Sequence, residues 1–154
     1  MSKRYSGKSF KDSSVMKKPK LSLKEKRKLK KIVGSNRLVC DGGHNINAAK
    51  AIASWIKQQN QDVHLIIGMM KDKDHQGFIE WFKDNVKSIT LIDIPNQEGS
   101  ISKENFKNKL NGIKGKIDLS NSIEESIQSI NQYQNNICLV VGSLYLVGEV
   151  LNLN

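Results

Sequence analysis

From Arg37 onward the chain alternates between short apolar bursts and stretches of helical spacing. RLVCD (37–41) is an apolar run that ends in a Gly-Gly turn. Residues 46–59 then place Ala49, Ile52, Ala53 and Ile56 on one helical face. VHLIIG (63–68) reads as a second buried strand, followed by a charged loop and a helix carrying Phe78, Phe82 and Val86. SITLIDI (88–94) reads as a third strand, closed by Pro95. A helix over about 102–110 leads to a weaker strand at KIDL (116–119). Ser122 with Glu125 forms a capping box that opens the next helix, running to about Gln132. ICLVVG (137–142) is the most apolar strand, and a last helix begins at 144–151. Strands apolar on both faces, joined by helices, predict an α/β fold: a Rossmann-like three-layer domain with a mostly parallel sheet covered on both sides. No internal repeat is visible.

Composition divides the chain in two. The net charge of +10 is an average over unlike pieces. Residues 1–31 hold 13 Lys/Arg against Asp12 and Glu25, whereas residues 32–154 hold 12 Lys/Arg against 13 Asp/Glu. The basic character therefore belongs to the N-terminal piece and not to the fold, unlike that of a uniformly basic nucleic-acid-binding domain. Residues 1–35 are expected to be a mostly disordered basic tail, with a short helix possible from Ser22, and residues 36–154 a folded domain. Gly7-Lys8-Ser9 echoes the end of a phosphate-binding loop, but Ser2 stands where that motif needs its first glycine, and no strand precedes it. Cys40 and Cys138 lie inside apolar runs and read as small hydrophobes of a cytoplasmic protein rather than as a disulfide. No apolar run approaches the length that spans a bilayer, so no membrane association is expected.

Ligands of open parallel sheets sit at the carboxyl ends of the strands, which directs attention to three loops. The first is Asp41-Gly42-Gly43-His44-Asn45. Its aspartate can accept hydrogen bonds from ribose hydroxyls, its glycines permit close backbone approach, and His44 and Asn45 precede a helix N-terminus. Asp41 and Asn45 serve equally well as plain turn and helix caps. The second loop is Gly68-Met69-Met70-Lys71-Asp72-Lys73-Asp74, either a solvated charged loop or a lysine set to hold a substrate carboxylate. The third, Gly142-Ser143-Leu144-Tyr145, puts a hydroxyl at a helix N-terminus, as a simple cap or as a carboxylate or phosphate contact. His64 and His75 read as structural or solvated, and no metal site is assigned.

Together, DGGHN, IGMMKDKD and VVGSLYLVGEVL resemble the C-terminal domain of bacterial folylpolyglutamate synthase/dihydrofolate synthase, of the Mur ligase superfamily. That family shows DGAHN, a DKD segment after the next strand and a terminal GS-x-Y segment in this order, so Gly43 for alanine is a mild departure. The resemblance covers about residues 36–152. It implies that Asp41 contacts the ATP ribose, that His44 lies beside the nucleotide and that Asn45 belongs to the same motif. It further implies that Lys73 and Ser143 hold the carboxylates of an incoming glutamate, with Asp72 and Asp74 orienting Lys73. The implied reaction activates a folate or pteroate carboxylate as an acyl phosphate with ATP, and the glutamate nitrogen displaces phosphate to form the amide. The family's phosphate-binding loop, Mg²⁺ ligands and most of its folate site lie in another domain. The chain alone is therefore expected to be inactive, and a separate P-loop ligase half is the expected partner. The alternatives are a non-catalytic remnant and a nucleic-acid- or ribosome-associated protein acting through its tail. For the last of these, Tyr5 and Phe10 are the tail's only aromatics, too few for stacking readout.

Overall fold

The structure is a computed structural model that describes residues 34–113 and 117–153. The expected tail and its short helix lie outside the described residues. Among the described residues five strands and five helices alternate: β1 (Arg37–Asp41), α1 (Ile46–Lys57), β2 (Val63–Ile67), α2 (His75–Ile79), β3 (Ser88–Leu91), α3 (Lys103–Asn108), β4 (Ile117–Leu119), α4 (Ile123–Ile130), β5 (Ile137–Val141) and α5 (Leu144–Leu151). All four strand pairings are parallel and the order is β1-β5-β2-β3-β4.

Strand side chains alternate between two apolar layers, as the pleat requires. Leu65, Ile67, Leu91, Leu139 and Val141 pack against Ala49, Ile52, Ala53 and Ile56 of α1, Phe78 and Ile79 of α2, Phe82 and Phe106. Ile66, Cys138 and Val140 pack on the other face against Ile123, Ile127 and Ile130 of α4 and Leu146 and Val150 of α5. Burying a side chain of this size stabilises by about 1.5–3 kcal/mol. β2 and β5 are buried at every position. β1, at the sheet edge, is half-buried at Leu38, Val39 and Cys40 and exposed at both ends, so the expected two-sided cover is incomplete there.

Two elements differ from the sequence reading. The helix expected to carry Phe78, Phe82 and Val86 stops after Ile79. Beyond it, Phe82 N–H donates to the Ile79 carbonyl at 2.8 Å and Asn85 N–H to the Phe82 carbonyl at 2.9 Å, so tight i−3 turns replace the helix. They keep Phe78 and Phe82 buried and edge-on to each other. β3 ends at Leu91 rather than at residue 94; Ile92 N–H still donates to the β2 carbonyl of Ile67 at 3.0 Å, and Ile92 and Ile94 remain buried beneath α4 and α5. The capping box at α4 is present: Ser122 Oγ accepts from Glu125 N at 3.0 Å. Glu125 Oε2 accepts from Asn121 N at 2.8 Å, one residue earlier than in the standard box. No helix among the described residues is long and apolar enough to cross a membrane.

The topology decides where chemistry can collect. The chain steps outward from β2 to β3 and β4, then returns to insert β5 between β1 and β2. That reversal is the switch point at which open α/β sheets hold ligands. It makes the loops after β1, β2 and β5 neighbours, although they lie far apart in sequence.

Candidate functional site

Gly142 ties the three loops together. Its N–H donates to the Gly43 carbonyl at 3.1 Å, joining the loop after β5 to the loop after β1. Its φ of +106° falls in a region that side-chain-bearing residues rarely adopt. A Cβ there would stand 2.5 Å from the Gly68 carbonyl oxygen, so the glycine also allows the loop after β2 to press close. The result is a cleft of roughly 460 Å³ lined by His44, Met70, Asp72, Lys73, Gly142, Ser143, Leu144 and Tyr145. Its size falls in the range of small-ligand sites.

The side chains expected to act here adopt distinct local roles. Asp41 Oδ1 accepts from Gly43 N at 2.8 Å and closes the turn, leaving Oδ2 with no hydrogen bond to a described residue. His44 Nδ1 lies 3.1 Å from the Gly42 carbonyl; a carbonyl can only accept, so Nδ1–H donates to it. Asn45 is the N-cap of α1, its Oδ1 accepting from Ala48 N at 2.9 Å. Lys73 is partly exposed, with its ammonium 3.9 Å from the Asp72 carboxylate. Asp74 is the N-cap of α2, accepting from Gly77 N at 2.9 Å. Among the described ion pairs, Asp72 and not Asp74 is the partner of Lys73. Ser143 is the N-cap of α5: its Oγ accepts from Tyr145 N at 3.1 Å, and the residue is buried.

Capping and ligand roles are compatible for these residues. A hydroxyl that accepts from one backbone N–H still has its own proton to donate. Beside the His44 imidazole and the Asp72 carboxylate, the cleft thus gathers a cation, a hydroxyl donor and the N-terminus of an eight-residue helix. That set suits a carboxylate-bearing ligand. Asp41 faces a neighbouring groove of roughly 470 Å³ between β1 and α1, lined also by Val39, Ala48, Ala51, Ile52 and Trp55. Asn45 and Asp74 line neither cavity and act through the helices they cap.

Some contributors carry no polar signal in the sequence. Leu144 and Tyr145 are about half exposed at the mouth of the cleft. A Cβ on Gly42 would meet Leu144 Cδ2 at 2.3 Å, so the first glycine is needed for Leu144 to pack over the turn. A Cβ on Gly43 would lie 2.6 Å from that of Ala48, so in this chain the alanine usual at this motif position requires α1 to shift. His75, which reads as structural or solvated, is buried, with Nε2 2.8 Å from the Met70 carbonyl. Burial holds its imidazole below the ordinary histidine range.

Comparison with known proteins agrees with this fold. A family model described as "Mur ligase, glutamate ligase domain" matches residues 29–144, beginning ahead of the boundary expected at residue 36. No curated protein matches. Escherichia coli FolC in complex with DHPP and ADP is similar in fold, with a TM-score of 0.65 and 24% identity over 77% of this chain and 28% of that one. Yersinia pestis bifunctional folylpolyglutamate synthase/dihydrofolate synthase complexed with AMPPNP and Mn ion gives a TM-score of 0.65 and 19% identity, over 75% of this chain and 28% of that one. Mycobacterium tuberculosis folylpolyglutamate synthase complexed with ADP and AMPPCP gives a TM-score of 0.66 and 14% identity, over 73% and 28%. The chain thus spans little more than a quarter of the length of these proteins. The family model covers most of the sequence and the three-layer fold recurs in each of these structures, so the chain belongs to the Mur ligase family, as its glutamate ligase domain.

Proposed function

We propose that this domain is the glutamate- and nucleotide-contacting part of an ATP-dependent ligase that adds glutamate to folate or dihydropteroate. The observation that carries the reading is the convergence of His44, Asp72, Lys73 and Ser143 on one cleft, from loops up to a hundred residues apart. Lys73 and the Ser143 hydroxyl hold the carboxylates of glutamate, and Asp72 orients the lysine ammonium. Asp41 Oδ2 accepts from the ribose of ATP, and His44 lies beside the nucleotide. The residues present fit a nucleoside: a carboxylate oxygen with no hydrogen bond to a described residue stands next to a glycine turn at a helix N-terminus. ATP supplies the phosphoryl group that activates the acceptor carboxylate. Lys73 and Ser143 deliver the glutamate amine to it, and the cleft walls limit access of water.

The folate assignment rests on the motif resemblance and on the fold shared with the folate ligases. The cleft opens between two exposed apolar side chains, Leu144 and Tyr145, which suit a face covered by a second, P-loop-bearing domain. Mg²⁺ and the phosphate contacts belong to that domain, and the 154-residue chain by itself releases no ADP. A tagged chain recovered from its own cells tests this. Co-purification of a P-loop ligase component, with glutamate-dependent ADP formation lost in Lys73→Met, supports the reading. ADP formation that does not respond to glutamate or to Lys73→Met contradicts it.

A further inference from the structure

The loop that carries Lys73 is closed on itself by a buried histidine. Met70, at its start, offers one carbonyl to two donors: Lys73 N at 3.4 Å and His75 Nε2 at 2.8 Å. The first bond is long and weak, the second short. His75 is 2% exposed, and its ring packs on Phe106 at 5.0 Å between centroids. The same residue opens α2, whose first turn Asp74 caps. His75 therefore joins the two ends of a five-residue bend, Met70 to Asp74, and roots it in the core through Phe106. From outside, Lys71 N donates to the Gly99 carbonyl at 2.7 Å and Met70 pairs with Ser100. Those contacts fix the first half of the bend. On the second half, where Lys73 sits, the His75 ring is the tie that reaches back to Met70.

We propose that His75 is a positioning residue that sets the conformation of the Lys73 loop, and through it the affinity of the cleft for glutamate. This rests on the reading of Lys73 as a carboxylate holder. The ring acts as a neutral Nε2–H donor to an acceptor-only carbonyl. The charged groups that face it are Asp72 and Asp74 from its own loop and Lys109 from beyond α3. Without the ring donor, the second half of the bend is tied back to Met70 by the long Lys73–Met70 bond alone, and the ammonium samples positions outside the cleft. His64, the other buried histidine, bonds Ser88 and Asn136 at the far end of β2 and does not touch this loop.

The experiment compares the 154-residue chain with His75→Leu, His75→Gln and Lys73→Met. Site-resolved amide hydrogen exchange and L-glutamate titration are the two readouts. Gln carries an amide N–H at about the reach of Nε2, so it restores the donor without the ring; Leu fills space and donates nothing. The expected result is exchange about ten-fold faster at Lys73 and its neighbours in His75→Leu, the scale of one lost buried hydrogen bond. Amides of β2 and β5 stay unchanged. His75→Gln returns to within about three-fold of the wild type, and glutamate affinity follows the same order. Unchanged loop exchange in His75→Leu overturns the proposal, as does a His75→Gln loop as loose as that of His75→Leu. If His75→Leu does not fold, His75→Gln decides alone: a protected loop supports the proposal and a loosened one ends it. Glutamate binding that is undetectable in the wild type, or indifferent to Lys73→Met, overturns the role given to Lys73 and leaves the exchange result to judge His75.

Discussion

Replacing Gly142 with alanine should be among the most damaging single-methyl changes in the domain. The added Cβ would meet the Gly68 carbonyl oxygen at 2.5 Å, Met69 Cγ at 3.0 Å and Ile67 Cγ2 at 3.1 Å. The nearest of these is backbone of β2's exit, which cannot swing aside as a side-chain tip can. To this is added the strain of a non-glycine residue at a φ of +106°, about 1–2 kcal/mol. Relief of the contact needs a backbone shift of several tenths of an ångström, about 1–2 kcal/mol more by analogy with overpacked cores. The sum is about 2–4 kcal/mol, or about 8–16 °C in Tm at about 4 °C per kcal/mol for a domain of this size. Two controls separate the contributions. Gly112 has a φ of +66° with nothing within 4 Å of a built Cβ, so its alanine variant carries strain alone, about 1 kcal/mol. Gly148 lies inside α5 with open space around it, so alanine there should stabilise by about 0.5–1 kcal/mol through helix propensity. Thermal melts of the three variants give the order Gly148→Ala above wild type, Gly112→Ala below it and Gly142→Ala lowest. A Gly142→Ala protein that melts with the wild type would refute the claim that this glycine brings the loops after β1, β2 and β5 together.

Further outcomes follow from single groups. Burial holds the imidazoles of His64 and His75 below the ordinary range, so the unfolded chain binds more protons than the folded one once pH falls under about 6.5. Stability from both groups is complete above that pH and is lost as pH falls toward their folded values; urea midpoints at pH 7.5 and 5.5 should show the decline, and equal midpoints would contradict it. Cys138 is fully buried and its thiol is pushed up by desolvation, so a thiol reagent should reach it only on unfolding. Titration should count at most one reactive thiol in the native chain and two in denaturant. Ser122→Ala removes the acceptor for Glu125 N at the start of α4 and should cost about 1 kcal/mol in chemical denaturation, whereas an unchanged midpoint would show that the cap is redundant.

The fold was legible wherever the apolar pattern left one solution. The bursts at 37–41, 63–67 and 137–141 mark strands because each is too short for a helix and bounded by turn residues. The strand order was not legible: nothing local in ICLVV states that β5 inserts between β1 and β2. Yet that insertion is what makes three separated motifs into one cleft. The early end of α2 was missed because Phe78, Phe82 and Val86 keep helical spacing through i−3 turns that bury the same side. At the site, the residue types announced both of their roles. Asn45, Asp74 and Ser143 are caps in the structure, and the sequence alone does not say which caps also face a cleft. The resemblance singled out Lys73 in the sequence, but Asp72 was distinguishable from Asp74 as its partner only once the loop's path was fixed. His75 was left as structural or solvated because a histidine among charged residues allows both, and its burial depends on Phe106, thirty-one positions away.

The most direct test of the ligase account is glutamate-dependent ADP release by the chain reconstituted with a P-loop ligase component that co-purifies with it, measured for the wild type and Lys73→Met, with Lys71→Met as a control outside the cleft. The account predicts no release by the chain alone. It predicts release on reconstitution that needs both glutamate and a folate acceptor, a large loss in Lys73→Met and little change in Lys71→Met. Release that is the same with and without the chain, or indifferent to Lys73, would contradict it.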